Sequence, residues 1–337
     1  MNLTHIWQRM ATFFLLGCSL STTQASPEAA SMHSSKTVHV QSTTDLGLSL
    51  HVALKEQVRE SQNGAATLEV VFAPGVYEGV AISLKDSSSQ SRLEIVVRGA
   101  GPEPTVFKST IQVHAARIRL ENIVIADVAV ASPITTLKVG ESLHVDGVSW
   151  VGNTHREPHV GDPIVAIEGG YRSGPKQIVV KDSWFVGNDN GGQANLVSLT
   201  TVRPDIVSSL QFINSVFVDN HCAVIVAPEF SEQVVFEEAM VHETRADAFL
   251  WIRNTTTESI FNGGRFAFAG KGSPFRYQAT EVVAPAGFKP VVFSGLEPKL
   301  TGASSIPLLF SSSDRHARSG VAPTTTAFDS DLTGQQR

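Results

Sequence analysis

The chain has 337 residues, of which 42% are hydrophobic and 17% charged, and its formal net charge is -6. It has no long basic run, so it lacks the cationic stripe that displaces counterions from phosphates, and an ordinary nucleic-acid binder is excluded. No apolar stretch reaches the roughly 20 residues a helix needs to span a bilayer.

Residues 1–36 read as an export signal and linker. Arg9 supplies a positive flank, and Ala11 to Leu20 a short apolar core. Two endings stay open. Thr23-Gln24-Ala25 suits cleavage after Ala25. Leu15-Leu16-Gly17-Cys18 suits lipidation of Cys18, with the Ser/Thr/Ala-rich run to about Thr37 as a tether. Both endings predict export to the periplasm, the outer membrane as a lipoprotein, or the medium. The membrane enters only through a lipid on Cys18. Cys222 is then the one thiol left to the folded body, which therefore has no internal disulfide. Set against an apolar strand, it reads as a small buried hydrophobe.

From about 44 to 60, Leu46, Leu50, Leu54 and Val58 recur every fourth residue, with Lys55, Glu56 and Arg59 between them. That spacing predicts an amphipathic helix. The period then changes. Leu68-Glu69-Val70-Val71-Phe72 alternates as a strand does, Pro74-Gly75 turns, and Tyr77 restarts a strand.

Further on, one phrase returns. Trp150-Val151-Gly152-Asn153 is followed by Phe185-Val186-Gly187-Asn188 and Phe217-Val218-Asp219-Asn220. Weaker copies centre on Ile125, Val241 and Phe266. The anchors stand about 25, 35, 32, 24 and 25 residues apart, the range of a stacked solenoid. Three residues before each anchor is a small or polar residue: Asn122, Gly147, Asp182, Asn214, Glu238 and Gly263. Each unit thus reads as strand, sharp bend, strand, loop and strand. The prediction is an all-β, single-domain right-handed parallel β-helix over 37–295, capped at its N-terminus by the helix at 44–60. A helix there covers the open core and free edge of the first coil. Trp150, Phe185 and Phe217 should stack inside. Residues 296–337 read as an irregular segment and disordered tail.

Stacking also lines up the loops. Those after the anchors carry Asn153, His155, Glu157, His159 and Asp162; Asn188, Asp189 and Asn190; Asp219, Asn220 and His221; and His242, Glu243, Arg245 and Asp247. Asp189, Asp219 and Glu243 form a candidate carboxylate row for calcium, and His221 and Arg245 are the candidate catalytic pair. Calcium or an arginine can neutralise a uronate, after which a base can remove the adjacent proton. On the third strands, Val165 and Ile167, Val197 and Leu199, and Leu250 and Ile252 should point inward. Glu168, Trp251 and Arg253 then point out and join Asp189 and Asn190 as candidate substrate contacts. His155-Arg156-Glu157-Pro158-His159 is not a zinc-protease helix, because Pro158 forbids the helical face.

The order helix, then Val70-Val71-Phe72-Ala73-Pro74-Gly75-Val76-Tyr77-Glu78-Gly79, then repeats ending in Phe-Val-Gly-Asn, resembles the right-handed parallel β-helix superfamily of pectate-lyase type. In arrangement it is similar to the chondroitinase B and alginate lyase branch. The resemblance implies a polysaccharide partner and a lyase-like activity. In that branch acidic calcium ligands precede a catalytic lysine. Here the corresponding stretch, Asn190 to Ser198, has Gln193 and Asn195 in place of carboxylates and Ser198 near the lysine position. No catalytic residue is therefore carried over from the family. The expected function is a monomeric exported protein that binds or degrades acidic polysaccharide along its lateral face. The alternative is a non-catalytic structural or adhesive envelope protein.

Overall fold

A computed structural model of the chain describes residues 33–46, 48–86, 92–155, 162–169, 177–200, 207–228, 231–252, 257–277, 289–300, 306 and 308–311. The stretch expected to be an export signal, with Cys18 and Ala25, lies outside the described residues, as do Glu157, His159, Arg253 and 312–337.

The chain forms a right-handed parallel β-helix. Every described strand pairing between coils is parallel, and each coil of the central body has three strands. In one coil they are Gln177–Lys181, Trp184–Val186 and Asn195–Thr200; in the next, Val207–Ile213, Val216–Val218 and Val224–Pro228; in the one after, Ser231–Glu237, Met240–Glu243 and Ala248–Ile252. The register stacks equivalent positions: Ile178 on Leu210, Phe185 on Phe217, Val197 on Val226. The second strands form one nine-stranded sheet. First and third strands join into a seventeen-stranded sheet, because Ile111–Glu121 and Thr135–Asp146 each run from the third strand of one coil into the first of the next.

The six predicted bends are real, and their geometry explains their composition. Asn122, Gly147, Asp182, Asn214, Glu238 and Gly263 all have positive φ, between 47° and 67°. Asn and Asp tolerate this left-handed backbone because their short side chains bond locally, and Gly has no Cβ to clash. At Gly147 an added Cβ would also meet Asn122 Oδ1 at 2.8 Å, since the bends themselves stack.

Inside, Trp150 and Phe185 stack at 4.7 Å with planes 6° apart, and Phe185 and Phe217 at 4.9 Å and 2°. Ile125, Val241 and Phe266 continue this column in register. Trp150 Nε1 donates to Thr135 Oγ1 (2.9 Å), so its one polar atom is satisfied. A second column lies under the first strands, beyond the one expected: Phe212, Phe236, Phe261, Phe293 and Phe310 stack in turn. Each such pair adds about 0.5–1.5 kcal/mol beyond its burial.

The cap departs from expectation in its bounds. A 3₁₀ turn, Thr43–Leu46, precedes an α-helix that spans Leu48–Asn63. Leu50 and Leu54 are buried, and Leu46 and Val58 pack against the same core. The helix lies against strands Ser34–Val40 and Ala66–Phe72, which pair in parallel. At the other end the stack outruns the boundary expected at 295. Lys299–Leu300 pairs with Arg265–Phe268, and Leu308–Ser311 with Val291–Ser294.

Candidate functional site

The corner between the second and third strands carries two parallel rows, one facing in and one facing out. In three coils the second strand is three residues long and meets a left-handed residue: Gly152 (φ 62°), Gly187 (62°) and Asp219 (52°). That bend turns the following asparagine inward. Asn153, Asn188 and Asn220 are all buried, none more than 1% exposed. Read as loop residues from sequence, they are core residues in the structure. A burial that complete requires partners, and each has them. Asn153 Nδ2 donates to Ile125 O (2.9 Å) and Asn188 Oδ1 (2.9 Å). Asn188 Nδ2 donates to Trp150 O (3.0 Å) and Asn220 Oδ1 (2.9 Å). Asn220 Nδ2 donates to Phe185 O (2.9 Å) and Glu243 Oε1 (2.7 Å). The backbone N–H groups of Asn153, Asn188 and Asn220 follow the same upward path, reaching Asn188 Oδ1, Asn220 Oδ1 and Glu243 Oε2. The result is a one-way ladder of amides that ends on a carboxyl group.

One residue further along, the chain faces out. Thr154, Asp189 and His221 pair in register, and Arg245 reaches the same row from the next coil. His221 Nδ1 is 2.9 Å from Asp189 Oδ1, and an Arg245 Nη is 2.9 Å from Asp189 Oδ2. The Gly191 N–H donates to Asp189 Oδ1 (2.8 Å). Partial burial alone would raise the Asp189 pKa. The Gly191 N–H, His221 and Arg245 outweigh it and hold the carboxyl below its ordinary range. An ionised Asp189 only accepts, so the His221 proton sits on Nδ1 and Nε2 is left as the basic nitrogen. Nε2 faces Gly192, whose left-handed φ of 72° and missing Cβ make room for the ring; a Cβ there would lie 3.1 Å from Nε2.

The residues expected from the sequence to form one site therefore divide. Asp189, His221 and Arg245 come together. Glu243 does not join them at the surface, since it is fully buried at the end of the ladder. Burial pushes its carboxyl up to about 8, against the pull of the Asn220 donors; Asp219 adds to the rise and Arg245 opposes it. Asp219 is held separately, accepting from Thr244 Oγ1 (3.1 Å). Asp189, Asp219 and Glu243 thus have different partners. Among the described residues no group of three or more His, Cys, Asp or Glu side chains is placed to hold a metal. The row does not fit calcium. Asn190 is buried as well: its Nδ2 donates to Ala194 O (2.8 Å) and Asn195 O (3.0 Å), which shapes the loop rather than meeting solvent.

On the third strands, Val165, Ile167, Val197, Leu199, Leu250 and Ile252 all lie in the core. Glu168 faces out in register with Lys138 and Thr200, its Oε2 3.8 Å from Lys138 Nζ. Trp251 is partly buried, in register with Arg276. Cys222 is buried, and burial raises its thiol well above the usual range, as a core thiol should be.

The ladder does have a sequence signal. An asparagine stands at the same offset from the aromatic anchor in three copies, directly after a glycine or aspartate. No protein-family model, curated protein or solved structure matches the chain.

Proposed function

We propose that this is an exported β-helix protein that acts on acidic polysaccharide at the row Asp189–His221–Arg245. One observation carries the reading. Asp189 orients His221 through Nδ1, which leaves Nε2 basic beside a partly exposed guanidinium. In such a site a uronate carboxylate meets Arg245, whose contact with Asp189 occupies one nitrogen of its fork. His221 Nε2 then takes the proton from the carbon next to that carboxylate. The electron pair forms a carbon–carbon double bond as the glycosidic oxygen departs, and that oxygen gains a proton from solvent. Of alginate, pectate and chondroitin incubated with the protein, at least one should reveal such a step by ultraviolet absorbance of the unsaturated product. No absorbance with any of the three, together with no binding in a titration, defeats the reading.

One observation favours the other reading, a non-catalytic envelope protein. Arg245 and Asp189 already neutralise each other, so the row has no excess charge to drive a reaction. Binding of a uronate polymer without product, unchanged when His221 is replaced by Ala, would select it.

A further inference from the structure

The coil that ends the ladder breaks the rule of the three before it. Its second strand, Met240–Glu243, is four residues long. Among the described residues it has no left-handed residue where Gly152, Gly187 and Asp219 stand. Val218 pairs with His242, so Glu243 occupies the position equivalent to Asp219, one residue before the place of the ladder asparagines. With no bend to reset the alternation, it points inward two residues after the buried Val241, and its side chain reaches Asn220 in the coil before. Its two oxygens take the two donors of Asn220, one each, at 2.7 and 2.8 Å.

An amide at the top of the ladder would carry two hydrogens that need further acceptors. A carboxyl group carries one at most, and none when ionised, while both its oxygens accept. Glu243 therefore closes the ladder. It also lies between the two groups that meet Asp189. His221 follows Asn220 directly, and Arg245 is two residues beyond Glu243 itself. The side chain thus ties together the two backbone segments that present the imidazole and the guanidinium.

We propose that Glu243 is a positioning residue: by gripping both donors of Asn220 it sets His221 and Arg245 at their distances from Asp189. This rests on the reading that the outward row is the working site. The grip itself can be tested without a glycan. Asp219, Arg245, Cys222 and Asn220 surround or face Glu243 and stay unchanged in every variant.

The test is the imidazole tautomer of His221, read by long-range proton–nitrogen NMR on histidine-labelled full-length protein. The wild type should show His221 protonated at Nδ1. Glu243→Ala orphans both Asn220 donors and should shift His221 to a mixture with the Nε2 form. A double variant, Glu243→Gly with Thr244→Asn, rebuilds the Gly-Asn pair of the lower coils and should restore the wild-type signature. A folded Glu243→Ala whose His221 spectrum matches the wild type overturns the proposal. Should Glu243→Ala fail to fold, Glu243→Gln serves instead, because it keeps the volume and sets an NH₂ against one donor; an unshifted spectrum there overturns the proposal equally. Failure of the wild type to bind or cleave any uronate polymer would defeat the proposed function and leave this result standing.

Discussion

Asn188 and Asp189 are adjacent in the chain and lie on opposite sides of one wall. Asn188 is 1% exposed, and every polar atom of its side chain is bonded to the coil above or below. The Asp189 side chain is 34% exposed, and its partners are a loop amide and two side chains that water can also solvate. The left-handed residue at Gly187 sets which of the two turns inward, and alternation puts the next one outside. The corner thus keeps its structural and its candidate chemical polar groups apart. The inner row has no alternative partners and must be satisfied within the protein. The outer row can exchange its partners for a ligand.

The contrast predicts unequal costs. Asn188→Ala leaves donors and acceptors stranded on both neighbouring coils. It should destabilise the protein by about 3–5 kcal/mol, measured by urea denaturation. A loss below about 1 kcal/mol would mean that the ladder is not the inner frame of the corner.

Next in size is a pH effect confined to the inner row. The Glu243 carboxyl has a folded pKa of about 8, raised by burial from an ordinary 4.5. The neutral form is the one the fold prefers. Its contribution is complete below about 4.5 and is lost as the pH rises through about 8. The denaturation midpoint should fall across that window by the equivalent of roughly 2–5 kcal/mol, and Glu243→Gln should flatten the fall. Asp189 works in the opposite sense. Its pKa is depressed, so its smaller contribution is present above the ordinary 3.8 and is lost as the pH falls below it.

Gly192→Ala crowds His221 Nε2 and strains a left-handed backbone position. It should cost about 1–2 kcal/mol and weaken any uronate binding. Unaltered binding would show that Nε2 does not meet the ligand. The smallest effect on stability belongs to Asp189→Ala. Its pairs are exposed and screened, so stability should change by less than about 1 kcal/mol while binding or turnover is lost.

The coil repeat, the six bends and the aromatic column were legible because period and residue type suffice to place them. Trp150, Phe185 and Phe217 share one offset, and a left-handed bend selects Asn, Asp or Gly at most of its occurrences. The meeting of Asp189, His221 and Arg245 was legible for the same reason: all three lie four residues after an anchor. What failed was the facing of the residue before them. Alternation within a strand assigns sides reliably, but one left-handed residue resets it. Asn153, Asn188 and Asn220 therefore turn inward although they are polar and follow a glycine or aspartate. Glu243 departs from its expected place for a different reason. It lacks the bend, so its strand continues one residue further and ordinary alternation from the buried Val241 turns it inward. The second aromatic column has no such signature, because Phe212, Phe236, Phe261 and Phe293 sit in first strands, outside the repeated phrase.

The inner ladder is tested most directly by hydrogen exchange of the side-chain carboxamides of Asn153, Asn188 and Asn220, followed by NMR in the intact protein. All three NH₂ groups should be strongly protected, and protection at Asn220 should fall when Glu243 is replaced by Ala. Exchange of all three at the rate of a free asparagine amide would contradict the ladder, and with it the division of the corner into an inner frame and an outer site.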